Sequence, residues 1–292
     1  MQRFVLFGLF CTLTLYAILR LQSFFPWFFS NFQTTPLSPD LAVNTSISFS
    51  TTTTWQAHGG ENTMSYFSQM VELCAQNFLA GAAGLAVGIA FIRGLARQLS
   101  NALGNFWVDL VRTLLWVLLP TASVGALLLV WQGVPMNFNH YAVVTTLEGS
   151  KQVIPQGPVA ALEIIKNLGT NTSASGHCGE HQAGLSALTT NTGSHGFTGI
   201  LFAYTSCFAN NGKSFAGLSM NTPFYNLTTA LAMMVGRLGL AIPALALAAL
   251  RGRQRNTPKS SGTLPTDSFI FGLLLTACLV TLVALSYLPT ES

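Results

Sequence analysis

Charge is what this sequence has least of. Only 8% of its 292 residues are Asp, Glu, Lys or Arg, against about 25% in an ordinary soluble domain, which excludes a cytosolic globular protein. The 13 basic residues outnumber the 9 acidic ones by too little, and lie too scattered, to make a nucleic-acid surface. The five cysteines (Cys11, Cys74, Cys178, Cys207, Cys278) stand far apart, three of them inside apolar runs, so they compose no disulfide framework. No glycine loop with Lys and Ser/Thr cradles a phosphate, no Asp-containing phosphorylation motif is present, and no nucleophile has a base and an orienter. No catalytic residue is therefore assigned. What the chain has in plenty is apolar surface, 50% hydrophobic and 11% aromatic. The composition reads as an all-α polytopic membrane protein with the lipid bilayer as its solvent.

A spanning helix needs about 20 mostly apolar residues, and five stretches qualify: 4–21, 70–92, 114–131, 227–250 and 269–288. The first is short but lacks the small-residue cleavage site of a signal peptide, so it is read as a membrane helix. Cytoplasmic loops carry the excess of Lys and Arg. Arg93, Arg97 and Arg112 flank the second connection, and Arg251, Arg253, Arg255 and Lys259 fill the last, which places both inside. Residues 22–69 carry no Lys or Arg, and 132–225 only Lys151, Lys166 and Lys213, which places both stretches outside.

These outer stretches hold segments too short to span. In 36–49, Ser38 reads as an N-cap, Pro39 as the first helical residue and Asp40 as a first-turn anion. About eleven helical residues rise roughly 16 Å, half the hydrocarbon core. A second half-helix is predicted over 158–168, stopping at Gly169, and a third over 197–208. Each is followed by a polar stretch: Thr51-Thr52-Thr53-Thr54, then Gly169-Thr170-Asn171-Thr172, then Asn210-Asn211-Gly212. Irregular backbone at membrane depth is tolerated only where it is buried in protein or lines a wet cavity. A half-helix C-terminus favours a cation beside it, and successive carbonyls can replace a cation's hydration shell. Taken singly, each segment also reads as an extracellular turn; three beside spanning helices favour re-entrant pore loops. An internal echo at an offset of 159 lays Asn62-Thr63 on Asn221-Thr222, Phe49 on Phe208 and Thr51-Thr52 on Asn210-Asn211.

The stretches 37–45 (LSPDLAVNT), 64–70 (MSYFSQM), 104–112 (GNFWVDLVR), 157–160 (GPVA), 166–171 (KNLGTN), 214–219 (SFAGLS), 235–237 (VGR) and 260–266 (SSGTLPT) closely resemble the potassium-translocating subunit of the bacterial Kdp P-type ATPase. The resemblance implies four helix, pore-loop, helix repeats around a potassium filter in the cytoplasmic (inner) membrane. It also implies K+ as the transported ion with no organic cofactor, an ATP-hydrolysing partner subunit and small accessory membrane subunits. The fold is expected to be a remnant of that channel-like architecture: about five transmembrane helices plus three re-entrant pore half-helices in a single membrane domain. It divides into a first repeat (4–94), a second repeat of helix and pore loop (112–171), a junction without resemblance (172–192), the pore loop and helix of the last repeat (193–251) and a C-terminal helix (268–288). An opening helix and a large middle block are expected to be missing, which leaves three of four filter walls.

The filters depart from the family pattern. The first is expected to read Thr-Asn-Thr-Asn where Thr51–Thr54 stand, the second to continue in glycines where Thr172 and Ser173 stand, and the last to carry Asn where Ala209 stands and a small polar residue at Lys213. Lys213 either swings into water or takes the ion's place. Arg237 falls near the middle of the fourth helix, where an isolated charge costs about 2.5–3.5 kcal/mol, and is expected to face the pore or a carbonyl cluster and hold the filter or gate. Glu72, near an outer helix end, has only an ion pair in prospect. The string His177-Cys178-Gly179-Glu180-His181 offers zinc-type ligands but no helix to align the two rings. Three readings follow: a potassium-translocating subunit, a non-conducting remnant of one, and a distant membrane metal-binding protein.

Overall fold

The computed structural model describes residues 1–24, 37–58, 64–96, 99, 102–139, 142–145, 149, 151–154, 156–169, 194–214, 218, 220–254 and 268–286. Helices dominate. They are α1 (Gln2–Leu21), α2 (Pro39–Ser50), α3 (Tyr66–Ala96), α4 (Phe106–Trp131), α5 (Val159–Gly169), α6 (Ser194–Phe208), α7 (Pro223–Arg253) and α8 (Phe269–Ser286). One antiparallel hairpin, β1 (Ala142–Thr145) with β2 (Lys151–Ile154), joins α4 to α5. Its β-branched Val and Thr suit a strand, and it is the one departure from the all-α expectation among the described residues.

Four helices, α1 with its 3-10 extension to Phe24, α3, α4 and α7, are long and apolar enough to cross a membrane. The predicted spans lie inside them, but α3 starts at Tyr66 and α4 at Phe106, because backbone hydrogen bonding continues where hydropathy has already fallen. Both of these helices contain a π turn, at Gln69–Cys74 and Thr113–Leu118. The second lies just ahead of Pro120, a residue with no amide hydrogen to give to an α-helical ladder. The fifth predicted span is α8, 18 residues of helix in a separate unit, Gln254–Ser292.

Within the unit Met1–Arg253, the half-helix α2 packs between α1 and α7 rather than chiefly against the α3 that follows it. Leu15, Leu19, Leu41, Ala42 and Phe49 form the α1–α2 core, while Ile47 and Trp55 join Ala203, Cys207 and Met233 of α6 and α7. At the opposite end Phe4, Phe7, Ala82, Ala83, Leu110 and Leu118 tie α1, α3 and α4 together. Arg3 meets Asn105 there, Arg93 pairs with Asp109, and Gly94 lies against Ala248 one turn before Arg251. Arg3, Arg93 and Arg251 thus gather at one end of the bundle, while Arg20 donates to Leu37 O at the other. Large apolar side chains such as Phe10, Trp116 and Trp131 project outward, a surface that calls for lipid rather than water.

Candidate functional site: two facing filter loops

The first half-helix is an anchor before it is a pore element. Ser38 takes the predicted N-cap position and Pro39 the first turn, but the Ser38 side chain makes no capping bond to the helix backbone. Asp40 instead receives Asn226 Nδ2 at 2.8 Å. One turn further, Asn44 Nδ2 reaches Asn226 O at 2.7 Å and Thr229 Oγ1 at 2.8 Å. Residues more than 180 positions apart therefore hold α2 on α7. The bond from Asn226, helped by the Ser38 hydroxyl and the backbone amides of Asp40 and Leu41, holds the Asp40 carboxyl below its ordinary value against partial burial. A carboxyl lowered on folding stabilises the fold above its unfolded pKa of about 3.9 and loses that contribution as pH falls through the folded value. Asp40→Asn is accordingly expected to flatten the acid limb of a thermal-stability profile below about pH 4, where the parent chain declines; an unchanged limb would remove Asp40 as its cause.

At the C-terminal ends of α2 and α6 the backbone repeats itself. The amides of Thr53 and Thr54 both turn back to Ser48 O, at 2.9 and 3.4 Å, and those of Asn211 and Gly212 both turn back to Ser206 O, at 2.8 and 3.4 Å. In a trans peptide the preceding carbonyl points the other way. The carbonyls of Thr52, Thr53, Asn210 and Asn211 are therefore directed off the half-helix ends. Positive φ falls at Thr52 (65°) and Thr54 (53°), and again at Asn210 (57°) and Gly212 (63°). The predicted offset of 159 is thus corrected to 158 in the loops, which places Thr51 on Ala209 and Thr52 on Asn210. At the entries to α3 and α7 it is 157, since Ser65 caps Ser68 N and Thr222 caps Tyr225 N. A pattern of side chains cannot fix such a register; the amide bonds do.

The two loops meet. Asn210 Nδ2 donates to Thr53 Oγ1 at 2.9 Å and to Met233 O at 3.1 Å, and the Gly212 backbone lies so near Thr53 that an added Cβ would stand 2.1 Å from Thr53 O. Thr53 Oγ1 also pairs with Thr51 Oγ1 at 2.8 Å. Thr51 to Thr54 and Asn210 are all buried, and Trp55 is packed beneath them. The loops are not equally well braced. Thr52, the counterpart of Asn210, turns its hydroxyl back to Thr51 O at 2.5 Å. Close behind in sequence, Gln76 Nε2 and both polar atoms of Asn77 are buried without hydrogen-bond partners among the described residues.

The other predicted site residues divide. Gly169 is the last residue of α5, whereas Thr170, Asn171 and Thr172 lie outside the described residues, as do His177, Cys178, His181 and the whole 172–192 junction. The Glu72 side chain is likewise outside them. The Lys213 side chain is exposed and its amide is fixed by Ser206 Oγ at 2.7 Å. Arg237 reaches across to α3, with Nη2 at 3.5 Å from Ala80 O and against Gly84, while its Nε is buried without a partner among the described residues. That contact lies between α3 and α7, one residue from Gly236, which itself abuts Phe208 O at the end of α6. The bonds among Asp40, Asn44, Asn226 and Thr229 were missed from sequence; buried Asn and Thr within apolar helices were the available signal.

Comparison with known proteins adds an independent finding. The family model described as potassium-transporting ATPase A subunit matches in two pieces, residues 1–179 and 172–292. The potassium-transporting ATPase potassium-binding subunit of Methylobacterium nodulans is 30% identical over an alignment of 480 residues, taking in 98% of this chain and 84% of that relative. The alignment is far longer than the 292-residue chain, so it bridges a large interior gap. The proteins of the same description from Rhodospirillum centenum and Paramagnetospirillum magneticum are 54% and 52% identical over 165 and 167 residues, which cover 56% and 57% of this chain and 28% and 30% of those relatives. The two matched pieces overlap at 172–179, so the family model runs through 172–192, the stretch expected to be a junction without resemblance.

Proposed function

From the premise that this chain belongs to the potassium-transporting ATPase A subunit family, we propose that it binds K+ and passes it inward as the translocating subunit of an ATP-driven uptake complex in the bacterial inner membrane. The observation that carries the reading is the convergence of residues 51–54 and 210–212, each at the C-terminal end of a half-helix. The ion is cargo. Carbonyls turned off α2 and α6 would replace its water, the half-helix C-termini would favour its charge, and the Thr and Asn side chains would brace the loops. Gly169 to Thr172 would supply the third wall. Arg237 would support the filter by tying α7 to the α3 backbone. ATP hydrolysis would come from a partner subunit, with small accessory membrane subunits beside it.

The second reading, a non-conducting remnant, has its own observation: Thr52 and Thr54 occupy left-handed backbone that β-branched residues resist. Potassium-limited growth of a strain without its own high-affinity uptake separates the two readings. The chain is expressed beside its ATPase and small partners. Transport predicts growth, retained by Lys213→Ser because that side chain is exposed. Absence of growth despite membrane insertion and partner binding would establish the remnant.

A further inference from the structure

The 104–112 motif is not consumed by the ion pathway. It opens α4 at the arginine-bearing end, where a groove of about 360 Å³ runs between α3 and α4 and is lined by Ile89, Arg93, Asp109, Arg112, Trp116 and Val117. Its charges are unequal in availability. Arg93 grips Asp109 with both ends of its guanidinium, the second bond at 2.8 Å, and the Asp109 side chain is only 5% exposed. That pair is neutral and its carboxylate is screened from the groove. Arg112 is exposed and has no ion pair or hydrogen bond among the described residues, so it carries the groove's net positive charge.

Both walls change character in the same direction. One turn from Arg112 along α4, toward the membrane core, stand Trp116 and Val117, which are 80% and 51% exposed. One turn from Arg93 along α3, in the same direction, stands Ile89. The π turn at Thr113–Leu118 lies within this wall, and π turns inside α-helices are frequent at functional sites. A cationic mouth opening onto an apolar, outward-facing slot matches a phosphate with a hydrocarbon tail. We propose that this groove binds an anionic phospholipid of the cytoplasmic leaflet, with Arg112 receiving the phosphate and the Trp116 wall receiving an acyl chain. A partner protein would fit less well, since the slot continues onto lipid-facing surface. The inference is independent of whether the filter conducts.

Native mass spectrometry of the detergent-solubilised chain, titrated with phosphatidylglycerol or phosphatidylcholine, tests it. The expected result is one tightly retained phosphatidylglycerol per chain in preference to phosphatidylcholine. Arg112→Gln should weaken that retention about fivefold, the factor corresponding to one arginine against an anionic leaflet. Arg112→Lys should keep most of it, which guards against a folding defect in the neutral variant, and Arg253→Gln should leave it unchanged. Equal retention of the two lipids, undiminished retention in Arg112→Gln, or displacement by millimolar inorganic phosphate alone would overturn the proposal. A slot filled by a copurifying protein in place of lipid would do so as well.

Discussion

Gly212→Ala is expected to abolish potassium-limited growth while leaving membrane insertion intact. Two separate penalties coincide there. The residue sits at φ 63°, in the left-handed region, where a Cβ costs roughly 1–2 kcal/mol. Its Cβ would also lie 2.1 Å from Thr53 O and 3.0 Å from Trp55 N. Those neighbours are backbone atoms of the facing loop, so relief requires moving the loop itself, and overpacking of this kind typically adds about 1–3 kcal/mol. The loss falls on both loops at once, because the contact is between them. Gly133→Ala separates the two terms: Gly133 has φ 89° but open space around its Cβ, so it should show the modest backbone penalty and still support growth. Growth of the Gly212→Ala strain at the parental rate would mean that the two loops do not act as one site.

Thr52→Asn is expected to stabilise the chain, and Asn210→Thr to destabilise it. At the corrected register these residues are counterparts in two copies of one loop, both with left-handed backbone. Asn tolerates that conformation far better than β-branched Thr. In the last repeat Asn210 also ties the loop to α7 through Met233 O. Relief of strain by about 1–2 kcal/mol should raise the midpoint of thermal unfolding in detergent. The reverse substitution loses the bonds to Thr53 Oγ1 and Met233 O and introduces the strain, so its midpoint should fall by a comparable or larger margin. A Thr52→Asn midpoint at or below the parent's would show that the loops are not equivalent.

The second prediction also explains what the family pattern meant. The resemblance expects Asn at 52 and 54, and those are the positions where φ turns positive. Two hydroxyls in place of amides therefore change backbone strain and bracing before they change ion chemistry. Sequence alone exposes the substitution but not the dihedral that makes it matter.

Membrane residence, the spanning segments and the half-helices α2, α5 and α6 were legible because each depends on local composition or on a cap, and water and lipid sort those without reference to the rest of the chain. Tertiary structure decided the rest. Which loops face each other, the register of 158 and then 157, and the hold of Asn226 on Asp40 with that of Asn44 on Asn226 and Thr229 all depend on backbone dihedrals or on contacts between residues far apart in sequence. Hydropathy is a sum over neighbours along the chain; a hydrogen bond between α2 and α7 depends on a distance in space, and only the packed fold sets it.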